Sequence, residues 1–128
     1  MVAKILLIGT GGFLGSILRY VINVYVQQAS GSVRFPFGTL SVNVLGCLII
    51  GFLSQLADVR GILTEEMRVL LFVGLLGGFT TYSTFGNETF HLLRGGEPGL
   101  VMLNMTAHIL LGLGAVWTGY SLASLLWR

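Results

Sequence analysis

The sequence predicts an all-α integral membrane protein, a single domain over residues 1–128 with four crossing helices, the third of them broken. Composition is the first ground for this: 54% of the residues are hydrophobic and 9% charged, where an ordinary soluble domain carries about 25% charged residues. So few polar side chains cannot solvate the surface of a small domain. The second is four apolar segments of the length a bilayer demands, about 20 residues each. The third is a cluster of glycines and hydroxyl side chains inside the third segment, where a plain anchor would carry leucines.

The spans read as residues 3–26, 38–57, 67–93 and 99–126. Between the first two lies "QQASGSVRFPF", in which Pro36 bars a helix from continuing through it. Between the second and third lies "DVRGILTEE". Thr64 ahead of Glu65 and Glu66 has the form of a capped helix start. "RGGEPG" makes a tight turn between the third and fourth. Loops this short set neighbouring helices antiparallel and put both chain ends on one side.

Orientation follows the asymmetry of Lys and Arg in short loops. The side of the chain ends carries Lys4, Arg60, Arg68 and Arg128; the other carries Arg34 and Arg94, with the depth of Arg19 open. A bias this weak is compatible with insertion in both directions, which permits an antiparallel dimer, and equally with one fixed orientation.

Several function classes are disfavoured. A net charge of +2 without a basic cluster gives nucleic acid no purchase, and a single cysteine, Cys47, makes no disulfide framework. The N-terminal apolar run is too long for a signal peptide and is interrupted by Arg19. There is no phosphate-binding loop, nucleophile motif or metal cluster, so an enzyme is not expected.

The polar residues at membrane depth are therefore the informative ones. In "GTGGFLGSILRY", Gly11 and Gly15 form a small-xxx-small pair for close helix approach. Arg19, four residues on, either snorkels to the interface or sits at a pore mouth and concentrates anions. In the second span Thr39, Asn43 and Gly46 or Cys47 share a face. Asn43 either bonds across a helix interface or offers its amide N–H to an anion. In the fourth span Asn104, His108 and Gly112 fall on one face, without Cys or carboxylate at the spacing of a transition-metal site. Glu88 and His91 lie late in the third span, where Glu88 is expected to pair with an arginine.

The third span itself reads "GLLGGFTTYSTFGNETF". Gly77–Gly78 followed by Thr80–Thr81 makes a poor helix. Irregular backbone at membrane depth is tolerated only when buried in protein or lining a cavity. Freed carbonyls there suit a cation, freed N–H groups and hydroxyls an anion. The rings of Tyr82 and Phe85 add C–H edges, the positive rim of the aromatic quadrupole. A path of donors, with no acid in the first two spans, favours an anion.

Three blocks, "GGFLGSILRY" at 11–20, "GTLSVNVLG" at 38–46 and "GLLGGFTTYSTF" at 74–85, make the chain resemble the Fluc family of bacterial fluoride channels along nearly its whole length. The resemblance implies a dual-topology, antiparallel homodimer with two fluoride pathways in the plasma membrane of a bacterium or archaeon. It implies fluoride contacts by Asn43 and by the ring edges of Tyr82 and Phe85. Thr39, Ser83 and Thr84 are expected beside the pathway and Arg19 near its vestibule. It also implies a structural sodium ion held by the backbone carbonyls of Gly77 and Thr80 from both subunits. This chain departs from the family in having Tyr82 where phenylalanine is common. It also has Asn104, His108 and Gly112 where the fourth helix often carries serines.

Two other readings compete. A proton-coupled small multidrug-type exporter would need a carboxylate within the membrane; the first span has none and Glu88 comes late in the third. A membrane-assembly subunit would use only the small-residue packing.

Overall fold

The computed structural model describes residues 1–59 and 62–127. Arg60 and Arg128, counted in the charge balance, lie outside the described residues. Helix α1 spans Val2–Ser30 and α2 spans Phe37–Asp58. The third span, Glu65–Arg94, is composite. A short turn α3 (Glu65–Arg68) leads into a π-helical stretch, Val69–Leu76, and a further turn α4, Gly77–Phe79. Two extended residues follow, and the chain resumes as α5 (Tyr82–Arg94). Helix α6 spans Pro98–Leu126. All four spans are long and apolar enough to cross a membrane.

Local chemistry explains the boundaries. α1 continues past its apolar run to Ser30, because Gln27 and Gln28 are good helix formers that water can solvate. It stops at Gly31, whose φ of 63° is open to glycine at little cost and whose N–H bonds Gln28 O. α2 begins directly after Pro36, and the Thr64 hydroxyl accepts the Met67 N–H at 3.3 Å, the expected cap. Pro98 opens α6 in its first turn, where a missing N–H costs nothing.

α1 lies along the π-helical stretch and α4, while α2 lies along α6. Both crossings depend on absent side chains. A methyl group built on Gly11 would sit 2.6 Å from Leu70 O, and one on Gly78 would sit 2.6 Å from Gly12 O. Methyls on Gly51 and Gly119 would overlap the carbonyl oxygens of Val116 and Leu48. Gly11 and Gly15 thus form the close-approach pair their spacing predicts. Lipid tails are as apolar as leucine, so such contact between backbones replaces the hydrophobic drive of a soluble core.

Polar contacts pin the two ends. Lys4 pairs with Glu65 and the Arg68 guanidinium donates to Ala57 O. Trp127 packs edge-on against Phe52 at 6.1 Å. These put the start of α1, the end of α2, the start of the third span and the end of α6 at one end. At the other end Arg34 pairs with Glu97 at 2.8 Å. Gln27 ties the first loop: its Nε2 donates to Ser32 O and Phe35 O, and its Oε1 accepts the Gly38 N–H.

Gly119→Val drives a side chain into backbone that cannot move aside and is expected to cost about 1–3 kcal/mol. Gly99→Ala, with nothing within 4 Å of the added methyl, should be neutral or slightly stabilising. Thermal unfolding of the two purified variants in detergent checks both.

Candidate functional site

The interruption of the third span falls at Thr80 (ψ 158°) and Thr81 (φ −151°, ψ 112°), both extended. Gly77 and Gly78 stay helical, Gly78 serving the approach of α1, and the β-branched threonines take the extended conformation. A broken helix leaves peptide groups without partners, at several kcal/mol each in hydrocarbon. Asn43 of α2 supplies them at Thr81. Its Oδ1 accepts the Thr81 N–H at 2.9 Å and its Nδ2 donates to Thr81 O at 3.0 Å. The Thr81 hydroxyl then caps α5, accepting the Thr84 N–H at 3.2 Å and donating to Thr84 Oγ1 at 2.9 Å. Thr80 bonds back to Leu76 O through its hydroxyl and its N–H, each at 2.9 Å.

The amide of Asn43 therefore bridges α2 to the third span, as the interhelical reading had it. One Nδ2 hydrogen is left over for another acceptor.

A cavity of about 570 Å³ opens beside this clasp. Asn43, Gly77, Thr80, Tyr82, Phe85 and His108 contribute to its wall, and none of its lining residues is Asp, Glu, Lys or Arg. The rings of Tyr82 and Phe85 lie 5.7 Å apart at 49°, and Phe85 meets the His108 imidazole at 4.3 Å. Tyr82 is 82% exposed, so most of its ring is left uncovered by the rest of the chain. The Gly77 and Thr80 carbonyls receive no side-chain hydrogen bond among the described residues and remain open to a further ligand.

Other site residues expected from the sequence fall elsewhere. Thr39 is fully buried and does not line this cavity. It accepts from Asn23 Nδ2 at 3.1 Å and donates to Glu88 Oε1 at 2.7 Å. Glu88 thus corrects an expectation: it is met by a hydroxyl and pairs with no arginine among the described residues. The Arg34 guanidinium, at the same end, is taken by Glu97. Glu88 borders a second cavity, about 380 Å³, together with Arg34, His91 and Glu97. Ser83 is exposed and Thr84 is held by the Thr81 hydroxyl, both outside the lining of the large cavity. Arg19 is partly exposed on α1, with no ion pair or side-chain hydrogen bond among the described residues.

Sequence reasoning passed over three polar supports. Asn23 and Gln27 sit where an apolar run ends and look like loop approach. Thr89 accepts from the fully buried Asn104 amide at 2.9 Å and donates to Phe85 O at 2.7 Å. The signal for that pair was present in two polar residues at matching depth on adjacent antiparallel helices.

Residues 6–120 match the family described as "CrcB-like protein, Camphor Resistance (CrcB)". A "Fluoride-specific ion channel FluC" of Methylobacillus flagellatus is 43% identical over 122 residues, covering 95% of each chain. "Fluoride-specific ion channel FluC 1" of Methanosarcina acetivorans is 44% identical over 115 residues, covering 90% of this chain and 86% of its own. A "Fluoride-specific ion channel FluC" of Thermus thermophilus is 44% identical over 125 residues, covering 98% of this chain and 97% of its own. These relatives, bacterial and archaeal, are named as ion channels, which are not a class of enzyme. With four helices of crossing length and a family match over most of its residues, this chain is a multi-pass membrane protein and belongs to the CrcB family of fluoride channels.

Proposed function

We propose that the chain forms a passive, fluoride-selective channel that drains cytoplasmic fluoride across the plasma membrane. Fluoride enters cells as the weak acid HF, dissociates inside and is trapped as the anion. An open selective pore then suffices to release it, with no energy source. The observation that carries this reading is the cavity at the break: its polar lining consists of an amide, hydroxyls, a thiol, an imidazole and ring edges, without a formal carboxylate. Such a wall can replace the hydration of a small anion. The kinship with proteins named fluoride-specific channels supports it further; no such support exists for the multidrug-type exporter.

In this reading fluoride passes Asn43, Tyr82 and Phe85, with Ser83 and Thr84 beyond the break, Thr39 one turn nearer the start of α2, and Arg19 drawing anions toward the entrance. The working unit is an antiparallel homodimer. The 82% exposure of Tyr82 favours a second copy as its neighbour, and the weak charge bias permits that copy to be inverted. The carbonyls of Gly77 and Thr80 would hold a structural sodium ion. Gly77 is exposed, and neither carbonyl is occupied by a side-chain donor, which fits a cation ligand. A cation held there would offset the negative potential of these carbonyl oxygens.

Asn43→Asp replaces the Nδ2 donor with an oxygen that faces Thr81 O and repels an anion. In liposomes loaded with fluoride and read by a fluoride electrode, efflux should fall by at least about tenfold, the effect of roughly 1.4 kcal/mol. Normal efflux from a correctly assembled mutant removes Asn43 from the pathway.

Tags placed on the N-terminus should be accessible from both sides of the membrane in intact and permeabilised cells. Labelling confined to one side rules out the inverted pair.

Replacing sodium by a much larger monovalent cation throughout purification should lower fluoride flux and abolish ion density beside Gly77 and Thr80. Flux indifferent to sodium, with no cation density there, shows that those carbonyls serve another purpose.

A further inference from the structure

His108 is the one histidine on the wall of the large cavity, and its hydrogen bonding is unusually constrained. Its Nδ1 lies 3.0 Å from Asn104 O on the preceding turn. A carbonyl only accepts, so this contact exists only with the proton on Nδ1. In the neutral ring Nε2 is then a bare acceptor, and it is buried without a hydrogen-bond partner among the described residues. The ring also lies against Phe85, centroid to centroid 4.3 Å. Neutral His108 therefore offers an anion nothing but a lone pair. One added proton makes both nitrogens donors and sets a positive charge beside the Phe85 ring, inside the distance at which a cation is attracted to a ring. That charge polarises the ring and leaves its far C–H edge more positive.

The geometry points to His108 as a proton-operated element of the anion route: neutral, it brings no charge to the cavity wall; protonated, it attracts fluoride to the Phe85 edge and raises conduction. The inference rests on the channel reading, specifically on Phe85 lying along the fluoride path. Histidine is the side chain that ordinarily changes charge between about pH 5 and pH 8. From α2 the titratable side chain at the cavity is Cys47, and from the third span it is Tyr82. The residues before Thr80 contribute only apolar side chains to this wall. On α6 itself Asn104, Met105, Ile109 and Gly112 carry no charge. Glu88 and His91 of α5 border the second cavity with Arg34 and Glu97, and Glu88 faces Thr39. A proton on His108 would thus set a charge on a wall that otherwise has no Asp, Glu, Lys or Arg.

The test is fluoride current through the reconstituted protein in planar bilayers at equal pH on both sides, since HF crosses lipid uncharged and carries no current. Current should rise about tenfold between about pH 8 and about pH 5.5. His108→Gln should give a flat profile at the lower level, and His108→Lys a flat profile at the higher one. A merely structural imidazole produces neither the slope nor its rescue by lysine. Because the chain holds two histidines, a His91→Gln background leaves His108 alone for nitrogen magnetic resonance of isotope-labelled imidazole. At neutral pH the spectrum should show the proton on Nδ1. Fluoride current in the wild type that is independent of pH overturns the proposal and leaves the channel reading intact. So does a slope that survives in His108→Gln, or a neutral ring protonated on Nε2. Absence of fluoride current at either pH overturns the channel reading and this proposal with it.

Discussion

An extended Thr80–Thr81 pair inside a membrane-crossing helix is tolerable only because its peptide groups find partners within the protein. Lipid offers none, and each orphan costs several kcal/mol. The amide of Asn43 closes both the N–H and the C=O of Thr81, and the Thr81 hydroxyl restarts the helix. α2 must therefore lie within hydrogen-bonding reach of the break. The remaining arrangement follows from that demand. Gly46 stands where any side chain would overlap the Thr80 methyl, so α2 and the third span meet with almost no intervening volume.

Two layers of close packing frame this junction. α1 is pressed on the first half of the third span through Gly11, Gly15 and Gly78, and α2 is pressed on α6 through Gly51 and Gly119. Space remains where neither pair reaches, between α2, α6 and the break, and there the large cavity opens. Its polar residues are uncharged, for the same physical reason. Hydroxyls and amides serve broken backbone and remain tolerable beside lipid, whereas an unpaired carboxylate is far costlier to bury. The acidic residue that does occur at depth, Glu88, is kept apart beneath Thr39.

Much of this was legible in the residues themselves. Apolar length set the four spans, Pro36 and Thr64 set two helix starts, and the run of threonines marked the break. What stayed hidden was relational. Composition assigns the interruption to Gly77–Gly78 as readily as to Thr80–Thr81; only the approach of Gly12 to Gly78 decides between them. The π-helical stretch Val69–Leu76 has no sign in its sequence, "VLLFVGLL", which would suit an ordinary helix. Thr39 shares a face with Asn43 in the sequence, yet one turn of separation carries it out of the lining of that cavity and its hydroxyl donates to Glu88. Gln27 and Asn23 escape notice because polarity at the end of an apolar run ordinarily means the exit into water.

The order in which the polar contacts close has a bearing on how the chain is made. Gln27 reaches partners five, eight and eleven residues ahead, and Asn23 reaches Thr39, sixteen ahead. The first hairpin can thus satisfy its own loop as soon as the ribosome has released α2. Asn43 and Thr39 are different, since their partners Thr81 and Glu88 stand 38 and 49 residues away. Until the third span emerges, Asn43 is an unpaired amide on a helix already in the membrane. Synthesis proceeds at about 5–20 residues per second, so this interval lasts seconds. During it the nascent hairpin carries a polar mark that only its own downstream segment can erase, which commits α2 to wait for the third span rather than drift into lipid.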